Sequence, residues 1–415
     1  MSRNARSRNL LYVASVGSDG KRRLPLAALL AAEGVSVAGN QMALVAIPLF
    51  VLQTTGSASR TGVTMFFTFL PTVLAGFFGG ALVDRLGFRR TSIAADVASA
   101  AAVAAIPLLH RTVGIEFWQL QILVFLGALL DAPGNTARSA LVPKVVAQAG
   151  ISLDRGTALF NAADRIATLA GPPVAGAVIA LVGTADVLWV DAATFVFSAL
   201  VVRAAIARDA PRPAGTTTYG ADLREGFAFV RADTALLAII FLVTAMNALD
   251  SALAFVGLPV FVERVLDNPP VLGLLLGAIG VGGAAGSLAF AAWGDRLPRR
   301  ATLVVCFVVV SSFFLVVGAF PPLWIVLVYG AIAGVAAGPL NGILGAVLYE
   351  RIPEEMRGRA LGIVKALSFM AIPFGGLAGG AMISAIGLRA TFLLLGGAYV
   401  LTALSSAVNP GLRRL

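Results

Sequence analysis

The chain has 415 residues, of which 58% are hydrophobic and 13% charged, with a mean hydropathy of +0.90. Soluble globular chains are about half apolar and about a quarter charged, so an ordinary soluble enzyme, a disordered protein and a secreted disulfide scaffold are all excluded. The net charge is +10, but the basic residues fall in short runs between apolar segments, which is the pattern of membrane topology rather than of a nucleic-acid surface.

A membrane helix needs about 20 apolar residues, and the apolar content accommodates about twelve such helices by that rule. Residues 1–23 form a basic cytoplasmic tail. The apolar stretch that follows is too long for a signal peptide and opens the first span. Predicted spans lie at 24–52, 60–84, 88–109, 117–139, 157–182 and 186–206. A polar linker, 207–233, separates them from spans at 234–263, 270–293, 300–320, 322–349, 360–384 and 388–408. A short tail, 409–415, closes the chain. Within the linker, Phe227, Phe229 and Val230 recur at near-helical spacing among charges, which predicts an amphipathic helix at the inner membrane surface.

Lysine and arginine orient the spans. With the N-terminus inside, only Arg60, Arg111, Arg264 and Arg389 of the 31 basic residues fall in outer loops. Both termini are therefore expected in the cytoplasm. The two sets of six spans are also related by a constant offset of 211 residues: Pro48, Phe50 and Val51 map to Pro259, Phe261 and Val262, Gly62 to Gly273, and Asp84-Arg85-Leu86 to Asp295-Arg296-Leu297. Parallel repeats of this kind meet around a central cavity at the bilayer midplane.

The loop after the second span reads Gly80-Ala-Leu-Val-Asp84-Arg85-Leu-Gly87-Phe-Arg89-Arg90, with a second copy around Asp295 and Arg296. It resembles the signature loop of the major facilitator superfamily. The resemblance implies an all-α membrane protein with twelve transmembrane helices in two six-helix pseudo-symmetric bundles. It also implies that Gly80, Asp84, Arg85, Gly87, Arg89 and Arg90, with Asp295 and Arg296, form a conformational latch. Gly171-Pro172-Pro173-Val-Ala-Gly176 in the fifth span is similar to the antiporter motif of drug-exporting members; there Gly171, Pro172 and Gly176 would serve close helix packing. Ser36-Val-Ala-Gly39-Asn40-Gln41 and Asp131-Ala-Pro133 resemble the drug:proton antiporter subgroup of macrolide efflux proteins and enterobactin-type siderophore exporters.

Ionisable residues inside spans are costly and are functional candidates by default. Glu33 lies nine residues into the first span, about 13 Å deep at 1.5 Å per residue, and its chain neighbours offer no partner. It is the first candidate for proton coupling, the alternative being a structural carboxylate paired across to a neighbouring helix. Asp250 in the seventh span is the second candidate. Asn40, Gln41, Asn247 and Asn341 are candidates for the substrate cavity. Asp131, Arg138, Asp164 and Arg165 are expected at the cytoplasmic ends of the fourth and fifth spans, as an ion-pair cluster near the latch. Drug antiporters often carry an arginine in the fourth helix, but Phe117 to Leu130 has none.

One cysteine and one histidine argue against disulfides and metal sites, and the sequence has no Walker loop. An enzyme, a metal and a cofactor are not expected; the energy source would be the proton gradient. The reading is a monomeric secondary transporter of the bacterial inner membrane, exporting hydrophobic small molecules in exchange for protons by alternating access. Its partners are the lipid bilayer, a small-molecule substrate and protons. The alternatives are an importer or lysophospholipid translocator of the same fold, and a transport-dead sensor or scaffold. Reporter fusions at Ser57 and Thr217 should read outside and inside respectively; the reverse pattern would overturn the topology.

Overall fold

The computed structural model describes the backbone of residues 3–207 and 219–408, and side chains within those ranges except at 3–22, 75–86, 219–223, 358 and 405–408. Among the described residues all regular secondary structure is helical. The first half contains α1 (Arg3–Thr55), α2 (Ala58–Leu86), α3 (Phe88–Thr112), α4 (Phe117–Ala149), α5 (Leu153–Val182) and α6 (Thr184–Ala205). A linker helix, α7 (Tyr219–Ala232), leads to α8 (Thr234–Arg264), α9 (Val271–Trp293), α10 (Arg299–Gly318), α11 (Leu323–Arg351), α12 (Arg359–Ile386) and α13 (Leu388–Val408). Over the described residues, 10 helices are long and apolar enough to cross a bilayer. At 29 and 21 residues, α2 and α13 also have spanning length. Large apolar side chains such as Leu181, Leu288 and Phe241 point outward, while Thr64 and Gln121 are buried and hydrogen-bonded to each other at 3.0 Å. That inversion of the soluble pattern suits a lipid surround.

Helix ends and breaks follow glycine and proline. Gly150 stops α4 in the left-handed conformation, with φ of 68°, which costs glycine no Cβ clash. The fourth span was expected to end at 139, but α4 continues to Ala149 through Pro143. Leu141, Val142, Val145 and Val146 on the extension pack with Leu26, Leu29 and Phe160, and that apolar face carries the helix past the proline. A second break lies in α12 at Met370–Ala371, just before Pro373. Proline removes a backbone donor and frees a carbonyl, and nearby carbonyls need partners in an apolar medium. From α8, Thr244 donates to the Leu367 carbonyl at 3.3 Å, Asn247 to that of Ser368 at 2.9 Å and Ser251 to that of Ile372 at 2.7 Å.

The halves meet through two crossed helix pairs, α2 with α12 and α5 with α9. Both contacts are built on glycine. A Cβ at Gly62 would lie 2.6 Å from the Gly376 carbonyl oxygen, and one at the repeat-related Gly273 would lie 2.1 Å from that of Pro172. Removing the Cβ lets backbones approach within van der Waals contact. The same end, that of the α1–α2 loop, is tied by Gln53 donating to Glu263 at 3.1 Å and Arg264 donating to the Gly56 carbonyl at 2.6 Å. At the opposite end α7 docks on the second half, with Val230 buried against Ile363 and Val364 and Arg359 paired to Glu225 at 2.6 Å. Asp233 caps α8. Burial opposes its charge, but the backbone N–H groups of Ala235 and Leu236, with Arg351, outweigh burial and hold its carboxyl below the usual carboxylate range.

In a Cys306→Ser background, cysteines replacing Gln53 and Glu263 should be joined by a short bismaleimide. Adding Gly273→Val should cut the yield several-fold by parting α5 from α9. An unchanged yield would show that the glycine contact does not hold this end shut.

Candidate functional site

Arg138 is fully buried in the middle of the first half, 0% exposed. Its Nε donates to Glu33 Oε2 at 2.6 Å and its Nη1 to Asp96 Oδ1 at 2.7 Å. Its Nη2 donates to Ser36 Oγ at 3.3 Å and to Asn135 Oδ1, and lies 3.8 Å from Asp131 Oδ1. Asp96 also accepts from Ser198 Oγ at 2.7 Å, so one guanidinium links α1, α3, α4 and, through Asp96, α6. The register is set by helical period. Glu33 and Asn40 are two turns apart on α1, and Arg138 and Asp131 two turns apart on the antiparallel α4. Asn40 Nδ2 therefore reaches Asp131 Oδ2 at 2.9 Å, as does Asn135 Nδ2. Gly134, one turn before Arg138, gives room: a Cβ there would sit 3.0 Å from Ala95 Cβ and 3.6 Å from Arg138 Nη1.

This arrangement revises the expected location of the ion-pair cluster. Asp131 and Arg138 lie inside the bundle rather than at a helix end, because α4 extends beyond them and its lower turns are buried. Phe117 to Leu130 holds no arginine, but the longer α4 carries Arg138 further along. Glu33 has a partner after all, supplied across the bundle. Asp164 is half-buried on α5, close enough for its charge to act on Glu33. Arg165 is exposed, and among the described residues neither it nor Asp164 forms an ion pair. Asp96, the acidic residue of the third predicted span, was passed over in the sequence although the cost of burying charge singles it out. Asp191 on α6 is 1% exposed, and its carboxyl accepts only from Thr194 Oγ1, at 3.5 Å among the described side chains.

The second half is less charged. The Asp250 side chain on α8 makes no hydrogen bond or ion pair among the described residues, and it lies one turn before a π-helical turn at Leu253–Gly257. Pro259 lacks the N–H that would close an ordinary helical bond to Phe255, and π-turns recur at functional positions. Asn247 is engaged with the α12 break. Asn341 is exposed and donates to the Ala337 carbonyl of its own helix at 3.3 Å. Gln41 packs on α5, where a Cβ at Gly171 would lie 2.4 Å from its Cβ. Gly171 thus faces α1, while Gly176 faces α9, 2.5 Å from the Pro270 carbonyl by the same measure.

Of the expected latch, the side chains of Gly80, Asp84 and Arg85 lie outside the described residues. Gly87 starts α3 with φ of 83°, a conformation closed to proline, so the second copy with Pro298 is built differently. It makes a 3₁₀ turn at Gly294–Arg296, where Asp295 and Arg296 are exposed. Arg89 donates to the Arg203 carbonyl at the end of α6 at 2.7 Å, and Arg90 is exposed.

Residues 29–246 and 240–410 match the family model of the major facilitator superfamily. The chain is 33% identical over 401 residues to the multidrug efflux pump Tap of Mycolicibacterium fortuitum, covering 95% of this chain and 98% of that one. It is 23% identical over 403 residues to macrolide efflux protein A of Streptococcus pyogenes, covering 93% and 96%. Its fold is similar to the crystal structure of the nucleoside transporter NupG, with a TM-score of 0.76 at 12% identity over 92% of this chain and 98% of that chain. A bacterial homologue of the human lysosomal transporter Spinster, in an inward-facing conformation, gives a TM-score of 0.68 at 13% identity, covering 94% and 95%. The chain belongs to the major facilitator superfamily; it is a membrane transporter, not an enzyme.

Removing one partner of a buried ion pair leaves an uncompensated charge, at a cost of about 3–5 kcal/mol. Arg138→Met should therefore lower the melting temperature in detergent far more than Glu33→Gln does. Adding Glu33→Gln and Asp96→Asn to Arg138→Met should restore part of the loss. Equal, additive losses would show that the three groups do not act as one unit.

Proposed function

We propose that the chain is a proton-coupled efflux pump of the bacterial cytoplasmic membrane that exports hydrophobic small molecules by alternating access. The observation that carries this reading is the Arg138 cluster, in which carboxylates of α1, α3 and α4 compete for one buried cation. Full-length similarity to a multidrug efflux pump and to a macrolide efflux protein supports the direction and the substrate class. The distribution of lysine and arginine supports cytoplasmic termini, which makes the glycine-packed end the outer one. One chain carries both halves, which supports action as a monomer.

Glu33 is the group best suited to carry the proton. Protonation would cancel its charge and release the Arg138 Nε. The guanidinium would then be shared between Asp96 and Asp131, whose Oδ1 stands 3.8 Å away. Those partners sit on α3 and α4, so the exchange would loosen α1 from α4. Asp250 would supply a second carboxylate from the facing half, beside a helix with an irregular turn. A proton gradient, with no bound cofactor, would drive the cycle.

In efflux-deficient cells, the wild type should lower accumulation of at least one of ethidium, a macrolide or a catechol siderophore. Glu33→Gln at matched expression should lose at least about tenfold of the pH-driven rate while still folding. Wild-type pH dependence in that variant would remove Glu33 from coupling. Raised accumulation with the wild type would reverse the direction.

A further inference from the structure

The first half holds more buried carboxyl groups than Arg138 can pair. Glu33 and Asp96 take the guanidinium at hydrogen-bond distance, leaving Asp131 and Asp191. These two line a cavity of about 200 Å³ between α1, α2, α3, α4 and α6, with Phe69 and Phe195 among its walls. Asp131 is 8% exposed and its Oδ1 has no hydrogen-bond partner. Gly39 lets Asp191 lie against α1: a Cβ there would sit 2.5 Å from Asp191 Oδ1.

We propose that this cavity is a subsite for an organic cation, in which the protonated or alkylated amine of an exported molecule lies between Asp131 and Asp191. The apolar groups on the amine would rest on Phe69 and Phe195, and aromatic faces attract such cations. The walls join the two carboxyl groups to apolar side chains such as Ala43, Leu44, Ile47 and Val124, which suits a cation that carries apolar substituents. The charged groups facing the pair are Glu33 on α1, Asp96 on α3, Arg138 on α4 and, beyond Glu33, Asp164 on α5; on α2, Arg60 is turned to the Phe117 ring, 5.2 Å away. A cation between Asp131 and Asp191 would thus sit on the acidic side of Arg138, and protons would compete with it. The inference rests on the efflux reading for its cargo, but binding is measurable without transport.

The test is isothermal titration of the full-length protein in lipid nanodiscs with benzyltrimethylammonium, a quaternary amine that keeps its charge at every pH. The wild type should bind it saturably, and more weakly as the pH is lowered. Asp191→Asn should weaken binding by about tenfold or more. Asp131→Asn should do the same. If loss of its bonds to Asn40 and Asn135 unfolds that variant, Asp191→Asn, which breaks only the contact with Thr194, decides the matter. Absence of binding to the wild type, or equal affinity in wild type and Asp191→Asn at all pH values, would overturn the subsite. Export of an uncharged compound, followed in parallel in cells, separates the two claims. Export without cation binding removes only the subsite; binding without any export removes the efflux reading and leaves the site.

Discussion

A guanidinium inside a membrane bundle is held there only while carboxylates meet it at hydrogen-bond distance. Its desolvation costs several kcal/mol even after relaxation, and Arg138 recovers that cost through Glu33 on α1 and Asp96 on α3. The pairing fixes the register of α1 against α4 and fills the first half with polar contacts where leucines would otherwise pack. A core built on one shared cation is sensitive to protonation in a way that an apolar core is not. Each proton added to a carboxylate changes which partners the arginine keeps. The negative charge left over is equally constrained: it must be met by protons or by a bound cation, and the cavity at Asp131 and Asp191 is where that requirement is least satisfied.

Movement of the halves rests on a different kind of contact. Gly62 against Gly376 and Gly380, and Gly273 against Pro172 and Gly176, bring backbone onto backbone without side-chain interdigitation. Such surfaces contain few locked rotamers, so they can part and re-form as rigid faces. The 211-residue repeat places Gly62 and Gly273 at equivalent positions in the two crossings. The polar ties at the same end, from Gln53 to Glu263 and from Arg264 to Gly56, are solvent-exposed and therefore weak. The charge cluster and the glycine seal are joined by the contact of α1 with α5, since Gly171 rests on Gln41 while Gly176 rests on α9. Loosening α1 from α4 thus has a direct mechanical route to the seal.

Much of this was legible in the sequence because membrane helices announce themselves by length and apolarity. Paired halves and the signature loop also survive as local patterns. The glycines of α5 were marked by their spacing with proline. The pairing of Glu33 with Arg138 was hidden, because partners 105 residues apart leave no local trace. Ending the fourth span at 139 moved Arg138 to the membrane surface, where an arginine needs no partner. The buried face of Leu141 to Val146 was the missed signal, masked by Pro143. Asp96 was legible by the rule that flagged Glu33, but it lies near Arg89 and Arg90 and so reads as part of a basic flank. Asp191 follows Trp189 and Val190 near a helix start, and only the tertiary structure shows it turned inward toward Gly39 and Asp131. Asn247 read as a cavity residue because no pattern reveals that a break in α12 will claim its donor.

Infrared difference spectroscopy of the purified protein in lipid tests the central claim most directly: that the Arg138 cluster takes up a proton. A carbonyl band from protonated carboxyls should grow as the pH is lowered through the working range and should lose a component in Glu33→Gln, while a guanidinium band shifts with it in the wild type. A carboxyl band that persists unchanged in Glu33→Gln, or an arginine spectrum indifferent to pH, would contradict the account.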